Sequence, residues 1–302
     1  MPINAGVWRF HPTRHTFEVV AHGTSNPWGI DFNPVGDLFA EACVIPHLWH
    51  LVPGGRYHRQ AGQHFNPFTY GDIPTIAKHR HFAGSNPHGG NGRSDAVGGG
   101  HAHSGLVCYQ GGAWPKEYHG KLLMGNVHGH RINVDVVTPK GSTYEGDRQP
   151  DFLLTHDKAA LIVALKVGPD GNLFFCDWSD KQACHRPEPE AWDRTNGRLF
   201  KVSHQDSKPA VGLDLAKRTD AELVRLQAST NEWLVRHARR LLQERGPASA
   251  ETRAGVEGLL KSPDPAARLR GLWLAHAAGL LTAERCKTLL RPTGDPDQHV
   301  RA

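Results

Sequence analysis

The 302-residue sequence has no C-x-x-C pair anywhere along its length. Its five cysteines, Cys43, Cys108, Cys176, Cys184 and Cys286, are scattered, which excludes a zinc ribbon and a thioredoxin-like redox site and leaves at least one thiol without a disulfide partner. Cys184-His185 is the only trace of c-type haem attachment, and Lys181 stands where C-x-x-C-H needs its first cysteine. No stretch approaches the roughly 20 apolar residues of a membrane span, and the opening residues MPINAGVWRF lack the charged and apolar regions of a signal peptide. A G-x-G-x-x-G at a strand-to-helix junction is missing, which argues against a nicotinamide dehydrogenase, and so is a G-x-S-x-G elbow, which removes the commonest hydrolase alternative. The net charge is +5, but Lys and Arg form no run or single basic face, so a nucleic-acid footprint is not indicated.

What the sequence does have is histidine, 21 residues of it, and two compositional regimes that meet near residue 210. The first is rich in Gly, Pro, aromatic and β-branched residues with turns at short intervals, the pattern of an all-β architecture. Within it WGIDFNPVGDLF (28–39) echoes ALKVGPDGNLFF (164–175). In both, proline pre-sets one backbone angle of the turn and glycine supplies positive φ, which is hairpin chemistry. Repeated units of this kind predict propeller blades, with an outer hairpin over Val7 to Val20 and fuller blades from Trp28, Gly105 and Ile162. A long insertion with little strand pattern spans about 61–100. In the second regime Asn231, Asp264 and Asp297 suit helix N-caps, and Val235, Leu269 and Val300 follow them at intervals of 34 and 31. That period predicts HEAT- or armadillo-like helix-pair repeats.

The richest segment is His101 to Arg131, HAHSGLVCYQGGAWPKEYHGKLLMGNVHGHR, in which five histidines and one arginine stand at the ends of short β segments joined by glycine turns. With the flanking SNPWGIDFNPVGDLF and DFLLTHDKAALIVALKVGPDGNLFFCDWSDKQACH, it resembles the planctomycete-type membrane-bound dehydrogenases. Those are distant relatives of the soluble quinoprotein glucose/sorbosone dehydrogenases, in which a β-propeller is followed by helical repeats and often a haem-binding domain. The resemblance implies a six-bladed-type propeller. About three and a half blades are visible over 1–208, followed by HEAT-like repeats over 209–302, the chain beginning partway through a blade and stopping within a repeat. It also implies an extracytoplasmic or periplasmic location, calcium and pyrroloquinoline quinone (PQQ) as cofactors, a sugar or polyol substrate, and a cytochrome or haem domain as electron acceptor, no haem motif being present in this chain.

Candidate site residues follow from that comparison. His128, His130, Arg131 and His103 are the catalytic candidates: an imidazole that titrates near working pH is a competent base, and Arg131 could neutralise a carboxylated quinone. Arg131, Asp177, Trp178 and His185 are the cofactor-binding candidates, and Asp177, Asp180 and His101 the metal candidates, aspartates being hard oxygen ligands suited to calcium. Bland readings stand beside these. Each His-x-His could be a metal pair, or surface stacking on one face of a strand. Asp177-Trp178 could simply close a blade. His79, His81 and His88 could hold a transition metal, but read first as part of a mobile lid. His237 and His276 read as packing or surface residues, and Arg236, Arg239 and Arg240 as a solvated helix side. Two functions therefore stand open: oxidation of a sugar or polyol with electrons passed through a quinone to a haem partner, and a noncatalytic propeller and repeat scaffold that binds carbohydrate or protein.

Overall fold

The computed structural model describes residues 3–43, 46–65, 71–85, 92–179, 195–291 and 293–302. Its first unit is built of antiparallel sheets. β1 (Gly6–His11) pairs with β2 (Thr16–His22); β3 (Pro27–Phe32), β4 (Leu38–Ala42) and β5 (Leu48–Leu51) form a three-stranded sheet in that order. A four-stranded sheet follows from β6 (His103–Cys108), β7 (Leu122–Asn126), β8 (Arg131–Lys140) and β9 (Thr143–Leu154), then a three-stranded one from β10 (Ala160–Val167), β11 (Leu173–Ser179) and β12 (Gly197–Val202). Sequential strands are neighbours throughout, and none of the sheets closes on itself.

The first strands of successive sheets abut one another, β3 against β6 and β6 against β10. Two glycines permit that approach. A β-carbon at Gly29 would stand 2.1 Å from the Leu106 amide nitrogen, and one at Gly105, whose φ is +73°, would stand 2.7 Å from the amide nitrogen of Leu165. Polar bonds bind the same seams: Asp31 accepts from the Cys108 amide at 3.0 Å and the Ser104 hydroxyl donates to the Ile162 carbonyl at 2.6 Å. Apolar side chains from neighbouring sheets share one core, with Phe39, Leu48, Leu106, Leu122 and Met124 buried together. Burial of that much apolar surface is what holds the sheets face to face.

The described middle of the insertion is not a lid. Over 71–85 it is hydrogen-bonded to the sheets on both sides. Ile76 donates to the Leu48 carbonyl at 3.2 Å and accepts from Gly146 at 2.8 Å, the Thr75 hydroxyl donates to Leu48, and the Ile76 side chain enters the shared core. Further along, a short helix α1 (Gly92–Asp95) leads into Gly98-Gly99-Gly100 and β6.

The second unit comprises 203–302 together with 110–117 and 168–172. It contains α2 (Asp220–Arg225), α3 (Glu232–Glu244), α4 (Ala250–Leu260), α5 (Pro265–Ala277), α6 (Ala283–Leu290) and α7 (Gln298–Arg301). Asn231, Asp264 and Asp297 each cap a helix through the side chain, and Val235, Leu269 and Val300 are buried behind those caps. Leu223, Ala238, Leu242, Val256 and Leu274 form its core. His237 stacks on Trp233 with ring centroids 3.8 Å apart, a packing role. Arg239 departs from the solvated-face expectation: its guanidinium lies 5.2 Å from the Trp273 ring centroid, and burial lowers its pKa. Its aliphatic stem and planar head suit that stacked position.

Candidate functional site

The turn between β7 and β8, Val127 to His130, carries two of the catalytic candidates. It is a turn rather than a strand, so the same-face argument for His128 and His130 does not apply there. Asn126 fixes it by accepting from the Gly129 amide at 2.8 Å. His128 is half-buried. His130 adopts φ +50°, the left-handed region that a side chain enters at a cost. Its Nδ1 lies 3.1 Å from the Ala160 carbonyl. A carbonyl only accepts, so in the neutral ring Nδ1 carries the proton and Nε2 the lone pair.

Arg131 opens β8, and four of the five N–H groups of its guanidinium are committed. Nε donates to the Gly129 carbonyl at 2.9 Å, one terminal nitrogen to Asp151 at 3.0 Å and to the Asp95 carbonyl at 3.2 Å, and the other to the Asp95 carboxylate at 2.8 Å. The glycine run closes over it: Gly99 has φ +88°, and a β-carbon there would meet Arg131 Nε at 2.4 Å. Asn126 and Asn133 complete the network by donating to the Gly98 carbonyl at 3.0 and 3.1 Å, and Asn133 also donates to Asp151 at 2.8 Å. This is a satisfied polar lattice that fastens the end of the insertion to β8.

Asp177 is similarly committed. On β11 it faces Arg198 of β12, accepting from the Arg198 amide at 3.0 Å, from Nε at 3.0 Å and from a terminal nitrogen at 2.6 Å. Arg198 also reaches Asp157 at 2.7 Å, and these two carboxylates raise the guanidinium pKa. Trp178 beside it is partly exposed. Asp180 and His185 lie outside the described residues, as does His88.

His101 and His103 lead into β6 and enter a different environment. His103 is wholly buried, and its Nε2 lies 2.7 Å from His81 Nδ1. Around that pair stand His47, His79 and Asp135, with the His47 ring 4.6 Å from His81 and 4.7 Å from His103, and the His79 ring 4.8 Å from His81. His101 flanks the group, 5.6 Å from His103 between ring centroids. Asp135 sits beneath, with Oδ2 3.0 Å from His47 Nε2 and Oδ1 3.1 Å from His79 Nε2 and 3.8 Å from His81 Nε2. One donor atom from each of His47, His79, His81 and Asp135 falls within 4.8 Å of all the others.

The electrostatics follow from burial. Burial drives the His81 and His103 imidazoles well below the ordinary histidine range, and the neighbouring rings add to it, so both are neutral. At Asp135 burial favours the protonated acid, but the His47 and His79 imidazoles beside it more than offset that and hold the carboxyl below the usual carboxylate range. Nearby on β4, Glu41 is fully buried and neither carboxylate oxygen reaches a hydrogen bond of ordinary geometry. Burial pushes its carboxyl well up, against a smaller pull from the Gly105 backbone.

Two of the described members of the quinone and calcium set, Arg131 and Asp177, are already engaged by other groups of the chain. Arg131 has four donors taken by carboxylates and carbonyls, and the Asp177 side chain is neutralised by Arg198 and wholly shielded from solvent. What the arrangement offers instead is a nitrogen-rich pocket for a transition metal. His79 and His81 carried that suggestion in the sequence, whereas His47 and Asp135 were missed. Asp135 had a signal: it is the only charged residue in the mostly apolar run Ile132 to Val137, where an unpartnered carboxylate is costly. His47 had none, since its place beside the others depends on how two sheets meet.

Residues 2–206 match a protein family described as a domain of unknown function, DUF7133. The chain belongs to this family. A search of curated proteins finds no match. Among solved structures the chain is similar to a Thermus thermophilus oxidoreductase described as a glucose dehydrogenase, at 19% identity and a TM-score of 0.39, covering 61% of this chain and 47% of that one. It is similar also to the soluble aldose sugar dehydrogenase of Escherichia coli, at 18% identity, a TM-score of 0.36 and coverage of 53% and 44%. A third is the PQQ-bound aldose sugar dehydrogenase of Streptomyces coelicolor, at 16% identity, a TM-score of 0.37 and coverage of 61% and 45%. The chain thus spans less than half the length of these structures. No helix among the described residues is long and apolar enough to cross a membrane.

Proposed function

We propose that this chain is part of an extracytoplasmic, dehydrogenase-like propeller that oxidises a sugar or polyol, with His130 as the base. The observation that carries the reading is the His130 imidazole, whose Nδ1 is tied to the Ala160 carbonyl at 3.1 Å on a left-handed turn residue. That bond sets the tautomer and leaves Nε2 able to take the proton of a substrate hydroxyl. Strain of this kind persists where the surroundings over-determine a geometry, as they do at sites. The electron acceptor enters only as a class, a quinone passing electrons to a haem partner as in the planctomycete-type dehydrogenases. Residues 209–302 belong to the proposal as HEAT-like repeats, supported by the three capped helices and the buried residues behind them.

A second reading has its own support. The commitment of Arg131 and Asp177 to ion pairs suits a noncatalytic propeller scaffold that binds carbohydrate or protein. One experiment separates the two: dye-linked oxidation of a sugar and polyol panel, with PQQ and calcium added or withheld, by the wild-type protein and by His130→Gln. Turnover lowered at least ~100-fold in the variant, with the fold intact, is the expected result. A folded wild-type protein that turns over nothing under any condition hands the assignment to the scaffold.

A further inference from the structure

We propose that His47, His79, His81 and Asp135 bind one divalent transition-metal ion, with zinc the best fit, in a closed site that fastens the 71–85 segment to two sheets. The four residues come from three separate pieces of chain. His47 immediately precedes β5, Asp135 lies within β8 of the neighbouring sheet, and His79 and His81 belong to the insertion. Hydrogen bonds, ion pairs and apolar burial already hold these pieces together. An ion at their meeting point adds a bond to all three at once.

The geometry is that of a ligand set. Tetrahedral zinc with bonds of roughly 2.1 Å places its donor atoms ~3.4 Å apart. Asp135 Oδ1 stands 3.1 and 3.8 Å from the Nε2 atoms of His79 and His81, on either side of that spacing, Oδ2 stands 3.0 Å from His47 Nε2, and one donor atom from each of the four lies within 4.8 Å of the others. His81 Nε2 and Asp135 Oδ1 lie in side chains with no exposed surface, and neither completes a hydrogen bond of ordinary geometry, although His79 Nε2 stands 3.1 Å from that oxygen; neither ring nitrogen of His79 completes one either. A buried polar atom without a partner costs about 1–3 kcal/mol. Several of them converging on one point are explained by something that binds there.

The chemistry of the donors narrows the ion. Three imidazoles disfavour calcium and magnesium, which take oxygen. The set contains no cysteine, which disfavours copper(I) and iron–sulfur clusters. Three imidazoles and one carboxylate suit a divalent ion in four-coordinate geometry. His103 supplies the outer support: its Nε2 lies 2.7 Å from His81 Nδ1, so His81 can donate its second N–H to His103 while its Nε2 faces the ion. Such partners orient the ligand and fix its tautomer. His47, His81, His103 and Asp135 are buried and the His79 side chain is only 17% exposed, so among the described residues the ligand set is largely shielded from solvent, as suits a structural rather than a catalytic site.

The test is made on the whole chain purified without a metal-affinity step. Elemental analysis should find about one equivalent of zinc or a related metal. After chelation, cobalt(II) should bind stoichiometrically with the visible absorption of a tetrahedral nitrogen–oxygen site, and zinc should displace it and raise the melting temperature by several degrees. His81→Gln and Asp135→Asn should abolish the cobalt spectrum, whereas His276→Gln, exposed on α5 of the second unit, should retain it. Because those variants could fail to fold, the wild-type cobalt spectrum decides. A folded, chelator-treated wild-type protein that takes up neither cobalt nor zinc overturns the proposal, as does an unchanged spectrum in a folded Asp135→Asn protein. None of these readouts depends on turnover, so the outcome is independent of the dehydrogenase reading.

Discussion

Two polar clusters lie along the same strand, and they are built on opposite principles. At the start of β8, Arg131 and its neighbours Asn126, Asn133, Asp95 and Asp151 exchange hydrogen bonds until almost nothing is left over. Four residues further on, Asp135 and the imidazoles of His79 and His81 are as deeply placed yet leave ring nitrogens and a carboxylate oxygen without hydrogen bonds of ordinary geometry. A saturated network stabilises a loop and needs nothing from outside. An unsaturated one carries a desolvation cost that a ligand relieves. The contrast separates structural polarity from functional polarity more cleanly than residue type does, since asparagine, histidine and aspartate are equally ordinary in either.

The largest effect expected is at the unsaturated end. Asp135→Ala leaves three imidazoles facing each other around a void and removes the only anion among them, so a loss of ~3–5 kcal/mol is expected together with loss of bound metal. Urea denaturation with and without a chelator checks it. If chelator destabilises the wild type but leaves the variant unmoved, the metal and the carboxylate act as one unit. Equal chelator effects in both would erase the contrast between the two clusters.

Next in size is a break in the saturated cluster. Gly99→Ala forces a side chain into φ +88° and drives its β-carbon to 2.4 Å from Arg131 Nε, with the neighbouring guanidinium carbon at 2.6 Å. Arg131 cannot yield without losing bonds to Asp95 and Asp151, so ~2–3 kcal/mol of destabilisation is expected, with metal content unchanged. A Gly99→Ala protein that melts like the wild type would show that the lattice is looser than its bonding suggests. Smaller again is Arg198→Met. It strands Asp177, whose side chain has no exposure, but Arg198 itself is more than a third exposed, so solvent screening limits the loss to ~1–2 kcal/mol.

Much of this was legible in the residues themselves. The hairpin turns, the starts of the successive sheets and the caps at Asn231, Asp264 and Asp297 are local features, set by φ and by side-chain-to-backbone bonds a few residues away. That His101 to Arg131 gathers polar side chains was legible too, but which groups each one meets in the fold was not. Arg131 and Asp177 looked available because sequence does not show that Asp95, Asp151 and Arg198 lie against them. The 71–85 segment looked like a lid because its bonds go to β5 and β9, far away in sequence. The metal set had two visible members, and completing it required knowing that His47 and Asp135 meet across a seam between sheets, which no local pattern encodes.

The smallest effect tests whether an unpaired buried acid always marks a site. Glu41 lies near His47 in the chain, and burial pushes its carboxyl well above the usual carboxylate range, yet no ligand set surrounds it among the described residues. It is therefore held as the neutral acid. The sign of the pH dependence follows. Below the unfolded glutamate value, both states are protonated and Glu41 contributes no pH dependence. As pH rises past it, the unfolded chain ionises while the folded one does not, so stability falls until the folded carboxyl ionises as well. Glu41→Gln keeps the shape and removes the proton. Its stability relative to the wild type should rise between about pH 4 and pH 5.5 by ~1–2 kcal/mol, read from urea unfolding at both values. If the difference stays flat with pH, Glu41 is ionised in the folded protein and has a cationic partner, and it then belongs with the saturated clusters.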